Sequence, residues 1–188
     1  MGINYNQEVD AKFEANLVRQ GNVKIGITRK THFKVECFDE DGNLKWADEF
    51  YNLVVNAGLD DSLDKHLKGS SYTAAWYVGL TDGTPTFAAG DIMSSHAGWV
   101  EDQNYDEATR EALVLGAVSG QSVNNSASKA SFTMSATTTV GGAFITTGSA
   151  KGGTTGVLYG GGAFTGGDRS VVDNDIINVT ATFTAAAS

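Results

Sequence analysis

A chain of 188 residues that is 41% hydrophobic is long enough to bury one substantial core, and no proline-rich or charge-rich linker divides it. Its formal net charge of −9 works against gathering phosphates by counterion release, so nucleic acid is not an expected direct partner. Glycine is abundant at 23 residues while proline occurs once, at Pro85, which predicts tight turns and bulges in an all-β body.

The first thirty residues mix Asn, Gln, Glu, Asp and Lys with isolated apolar positions such as Phe13, Leu17, Val18 and Ile25. They read as an extended arm, 1–30, with at most one helical turn around Val9 to Val18. A frayed terminus and a segment ordered by a neighbouring subunit fit equally well. No basic start followed by an apolar block is present, and no window reaches the roughly 20 apolar residues of a membrane span. Neither secretion by a standard signal nor membrane insertion is expected. Cys37 stands alone, so no intrachain disulfide can form, which is compatible with synthesis in a reducing cytoplasm.

From Thr31 the run THFKVECF alternates Phe33, Val35 and Cys37 against His32, Lys34 and Glu36, the period of a half-buried strand. After it, Asp39-Glu40-Asp41-Gly42-Asn43 has the chemistry of a hairpin loop leading into a second strand, LKWADEFY. Asp39, Asp41 and Asn43 could be imagined as calcium ligands, but no bidentate Glu follows at EF-hand spacing. Turn chemistry accounts for the same residues.

The stretch Asn52 to Gly83 holds the one convincing helix. Leu59, Leu63 and Leu67 recur at helical spacing with Asp60, Asp61, Asp64, Lys65 and Lys68 between them, which predicts an amphipathic helix with an inward leucine stripe. Asn56 is the expected N-cap, Asp60 and Asp61 lie toward the positive end of the dipole, Lys65 and Lys68 toward the negative end, and Gly69 is the left-handed stop. LVV before the helix and AAWYVGL after it read as strands, with Trp76 in the core.

Most of the remaining side chains capable of chemistry lie between Thr81 and Gly116: His96, Glu101, Asp102, Asp106, Glu107, Arg110 and Glu111. Ser94, Ser95 and His96 are adjacent, but no glycine-flanked elbow frames either serine. The segment reads as a long loop over one end of a sandwich, pinned by Ile92 and Trp99, with Arg110 paired to a nearby carboxylate and EALVLGAV following as a strand. His32, His66 and His96 fall on strand, helix and loop, a scatter that does not predict a zinc site.

From Gly120 onward the only charged residues are Lys129, Lys151, Asp168, Arg169, Asp173 and Asp175. Strands are expected at SKASFTMSAT, TVGGAFITTG, GVLYGGGAF and DIINVTATFTA, the last burying Ile177, Val179, Ala181 and Phe183 against an outward row of Asn178, Thr180, Thr182 and Thr184. GGTTG at Gly152 to Gly156 lacks the Lys-Ser or Lys-Thr and the helix of a phosphate loop, and the GGAF pairs read as bulges and close backbone approach. The expected fold is mainly β: one β-sandwich or jelly-roll-like domain over 31–188 with one short helix.

The phrases HFKVECFDEDGNLKW, NLVVNAGLDDSLDKHLKG, AAWYVGLTDGTPTFAAGD, SHAGW, SVNNSAS and KGGTTGVLYGGGAFTGGD resemble a group of small virion proteins of tailed bacteriophages, from about Phe33 to the C-terminus. The resemblance implies a structural virion protein without enzymatic activity and carries across no catalytic, cofactor or metal residues. Among virion roles, a capsid decoration or cement protein is expected. Its partners would be the major capsid protein and other copies of itself, as a homotrimer on the capsid exterior. The alternatives are a tail or tail-fibre component using Trp99 and Tyr105 to contact glycans, and, more distantly, a glycan hydrolase using a pair among Glu101, Asp106 and Glu111.

Overall fold

The computed structural model describes residues 27–71 and 75–187. Arg29–Ala185 form one compact unit, which holds the sandwich. Up to Gly26 the expected N-terminal arm lies outside the described residues.

Alternating sequence builds two antiparallel sheets. In the first, β2 (Leu44–Tyr51), β1 (Ile27–Phe38), β12 (Ile176–Ala187) and β7 (Ser122–Asn124) lie side by side, with β8 (Ala130–Thr133) also on β12. In the second, the order is β3 (Leu53–Val54), β10 (Leu158–Ala163), β9 (Thr138–Thr146), β4 (Tyr77–Asp82) and β5 (Glu101–Asp102). There β11 (Arg169–Val171) pairs β9 and β6 (Glu111–Ala112) pairs β4. Among the described residues, five and seven strands in two antiparallel sheets make a β-sandwich.

The predicted inward rows are inward, with Phe183 at the end of the β12 row only partly buried. Phe33, Val35 and Cys37 of β1 and Ile177, Val179 and Ala181 of β12 are fully buried. They meet Val78 and Leu80 of β4 and Ala143 and Ile145 of β9 in one core between the sheets. The hairpin loop also forms as expected, with the Asp39 carboxylate accepting from the amides of Asp41 and Asn43 and from the Asn43 side chain. Burial, reinforced by the charge of Asp175, pushes the Cys37 thiol up to about 12. Cys37 is therefore expected to resist a thiol-specific reagent at pH 8 in the native state and to react only in denaturant; reaction at a free-thiol rate without denaturant would contradict its burial.

The second sheet is covered on its other face as well. Phe144, between inward Ala143 and Ile145, points outward into a smaller core with Val55, Met93, Trp99 and Leu158. Gly79 and Gly161 flank Phe144 in register on β4 and β10. A Cβ on Gly79 would lie 2.3 Å from the Phe144 ring, and one on Gly161 would lie 2.2 Å from the ring of Phe87. The glycines thus make room for aromatic rings laid flat on the strand backbone. Only the first GGAF copy sits at a register shift, where Gly141 is extra opposite Thr81/Asp82; Gly161–Ala163 of the second copy pair regularly with β9, and the β10 bulge falls ahead of it at Tyr159.

The helix corrects the leucine prediction. α1 (Asn56–Leu63) continues as a π turn (Asp64–Lys68) and stops at left-handed Gly69, φ 76°, as expected. Its N-cap is Val55 rather than Asn56, with no capping side chain, and no acidic residue falls in its first turn. The buried residue is Gly58, while Leu59, Leu63 and Leu67 are 43%, 57% and 79% exposed. Gly58 wins the inward position because the helix lies so close to β10 that a Cβ there would stand 2.5 Å from the Tyr159 carbonyl oxygen. No leucine could approach backbone that closely. Trp76 is only partly buried, packed against the main core.

Other departures are smaller. EALVLGAV contributes only the two residues of β6, after which Val114 and Val118 are exposed. Met93, not Ile92, pins the 84–100 loop: Met93 is 2% exposed and Ile92 44%. That loop covers the outer face of the second sheet rather than one end of the sandwich, as the contact of Trp99 with Phe144 at 4.7 Å shows.

Candidate functional site

Of the chemistry-capable residues between Thr81 and Gly116, Glu101 and Arg110 are brought together, as a structural clamp. Arg110, 1% exposed, donates through Nε and Nη2 to the two carboxylate oxygens of Glu101 at 2.8 and 2.7 Å. Nη1 donates to the Gly148 carbonyl and Nη2 also to that of Gly153, both at 2.8 Å, and its guanidinium lies 5.2 Å from the Phe144 ring centroid. Glu101 also accepts from the Gly152 amide. The expected pairing of Arg110 with a carboxylate is present, and it fastens the 147–157 loop to β5 and β6.

The neighbouring acids are similarly engaged. Asp102, 1% exposed, accepts from the Asn104 amide and from Thr138 Oγ1. Glu107 takes the Thr133 amide, while Asp106 is exposed. Burial, then the charge of Glu107, raises the Glu111 carboxyl. Of the trio named for hydrolysis, Glu101 is already neutralised by Arg110. His96 stacks on Trp99 at 3.7 Å with Nδ1 against the Trp99 carbonyl, and Ser94 and Ser95 are exposed beside it. Trp99 and Tyr105 are 5% and 2% exposed, so neither presents a ring to a surface glycan as the tail-fibre alternative expected.

On β2, Asp48 is buried and accepts from the amides of Thr165 and Gly166 and from Arg169. Burial alone would raise this carboxyl, but the Gly166, Thr165 and Arg169 donors outweigh it and hold it below its ordinary value. Glu36 is lowered by Lys129 and then Lys34, and Asp39 by the Asn43 amide and side chain. Because folded values lie below unfolded ones, the unfolded chain binds more protons in acid. Stability from these groups is present above about pH 4 and lost as the pH falls through the folded values. Urea melts between pH 7 and pH 2 should show this loss, and Asp48→Asn should flatten it; an unchanged slope in the variant would count against the Asp48 loop anchor.

A cavity of about 660 Å³ opens among segments far apart in the sequence. Its floor is aromatic and aliphatic: Trp76, Leu113, Ile145, Tyr159 and Phe183, with Tyr159 making edge-on contacts to Trp76 at 5.7 Å and Phe183 at 5.5 Å. Its rim carries Arg29, Asp61, Lys65 and His66. Burial pushes the Tyr159 hydroxyl up. The volume is in the range of small-ligand clefts, and the lining suits an apolar group rather than proton transfer. The Ser62 hydroxyl, also on the lining, donates back to the Gly58 carbonyl. No sequence period marks this cavity, since its walls come from β1, α1, β7, β9, β10 and β12.

Among the described residues no group of three or more His, Cys, Asp or Glu side chains is placed to hold a metal ion. His32 pairs with Glu49 on the sheet surface, and Asp39 with Asn43 in its turn. No helix among the described residues is long and apolar enough to cross a membrane. No protein-family model matches the chain, and comparison with curated proteins found no match either. The fold and its clamps define a two-sheet antiparallel β-sandwich whose second sheet is covered on both faces.

Proposed function

We propose that the chain is a structural virion protein of a tailed bacteriophage, a capsid decoration or cement protein that bridges neighbouring major capsid proteins and associates with copies of itself as a homotrimer. The observation that carries this reading is the outward face of the first sheet around β12. Asn178, Thr180 and Thr182 alternate with the buried row. Ser131 of β8 stands opposite Asn178, and Asn124 of β7 opposite Thr182, which extends a surface of short uncharged polar side chains.

Several of the few charges in this third of the chain are already engaged elsewhere: Asp175 with Lys45, Arg169 with Asp48, Lys129 with Glu36 and Asp168 with Thr84. Short Thr, Ser and Asn side chains lose little rotamer freedom on burial and bring no unpaired charge, so such a face suits many weak contacts repeated over a shell. The same charged residues act here as loop anchors, which favours a scaffold role over catalysis.

Subunit counting by cryo-electron microscopy of purified virions tests the assignment; density confined to the tail tip overturns it. Deleting Met1–Gly26 is expected to leave the sandwich folded and to weaken binding to undecorated capsids. Equal binding of truncated and full-length protein would remove the arm from the attachment.

A further inference from the structure

The leucine stripe that the fold leaves outside has the pattern of a self-complementary surface. α1 docks on β10 through Gly58 and turns Leu59, Leu63 and Leu67 to solvent at a spacing of four residues. A run of exposed leucines on one helix face is unusual when the helix is otherwise well packed. The π turn matters here: its wider winding keeps Leu67 in line with Leu59 and Leu63, and it brings Lys68 onto the flank that carries Asp60. Both Asp60 and Lys68 are exposed. Lys68 makes a surface pair to Asp64 at 3.1 Å, a contact of small energetic weight that it can exchange.

That flank runs from acidic Asp60, through an Asp64 already taken up by Lys65 and Ser70 as well as Lys68, to basic Lys68. In an antiparallel pair of identical helices, the same flanks meet with their ends reversed. We propose that two copies of this chain pair through α1 and its π turn, antiparallel about a two-fold axis near Leu63, with Asp60 of each copy against Lys68 of the other. The leucines interleave at the centre, the helix dipoles oppose, and the contact closes on itself without propagating. A single short helix pair is far smaller than the interface of a stable dimer, so the association is weak in solution and gains strength where copies are held close together. A two-fold contact is distinct from the proposed threefold association and does not depend on the virion assignment.

Sedimentation equilibrium of the full chain at rising concentration, at physiological ionic strength, reads this directly. Reversible dimerisation is expected, abolished by Leu63→Asp with an unchanged circular dichroism spectrum. Asp60→Lys, which sets lysine against lysine at both ends, should weaken the pair at least about tenfold, and the double change Asp60→Lys/Lys68→Asp should restore it. Leu63→Cys should cross-link to its own copy under mild oxidation. A chain that stays monomeric at high concentration, self-association untouched by Leu63→Asp, or no rescue in the double charge swap would each overturn the proposal.

Discussion

Arg110→Ala is expected to lower the free energy of unfolding by about 3–5 kcal/mol, the largest effect of any change argued here, because it strands a buried carboxylate. Glu101 is 9% exposed and its two oxygens take Arg110 Nε and Nη2. The carbonyls of Gly148 and Gly153 lose their donor in the same step. Arg110→Lys should recover little, since a single ammonium cannot reach both carboxylate oxygens and two diverging carbonyls with the geometry of a planar fork. The double change Glu101→Gln/Arg110→Met should recover a large part of the loss, because what is costly is the unpaired charge rather than the missing pair. Urea denaturation monitored by tryptophan fluorescence measures all four proteins. A loss below about 1 kcal/mol in Arg110→Ala, the size expected of an exposed pair, would show that the clamp is wet.

Gly58→Ala separates local preference from packing by the sign of its effect. In an isolated helix, alanine is favoured over glycine by about 0.8–1.0 kcal/mol. In this fold the added Cβ would stand 2.5 Å from the Tyr159 carbonyl oxygen and 2.8 Å from its Cα, both backbone atoms that cannot rotate away. The same carbonyl accepts the Val55 amide at 3.1 Å, so lifting the helix also strains the β3 connection. The expected outcome is a destabilisation of about 1–3 kcal/mol, with Tm falling by several degrees. A rise in Tm would mean that α1 does not lie against β10 at this distance.

How much of the molecule was legible depended on whether a pattern had room to repeat. β1 and β12 are long enough for three buried positions in alternation, and both inward rows were readable from residue type alone. β5, β7 and β11, at two or three residues each, define no period, and only their partners make them strands. Arg110 was legible as the partner of a nearby carboxylate because a lone arginine among many acids in a loop must find one of them; that the pair is buried was not. That Glu101 is the one, and that two loop carbonyls complete the set, follows from the 147–157 loop folding back over β5. Trp99 was correctly read as an anchor, whereas Tyr105 as a surface contact was not: hydrophobicity marks an aromatic ring without saying which side of a loop it faces.

By its own pattern the sequence determined a mainly β chain, the hairpin at Asp39–Asn43, the inward faces of β1 and β12, and a helix ending at Gly69. Tertiary structure alone decided which face of that helix meets the protein. Periodicity fixes only that residues four apart share a side, and the leucine stripe looked like the natural inward one. The glycine-rich backbone of β10 admits a helix only at a separation that a residue without Cβ can meet, so Gly58 went in and Leu59, Leu63 and Leu67 were left facing out. The aromatic cavity was decided the same way, by segments whose nearness exists only once both sheets have closed.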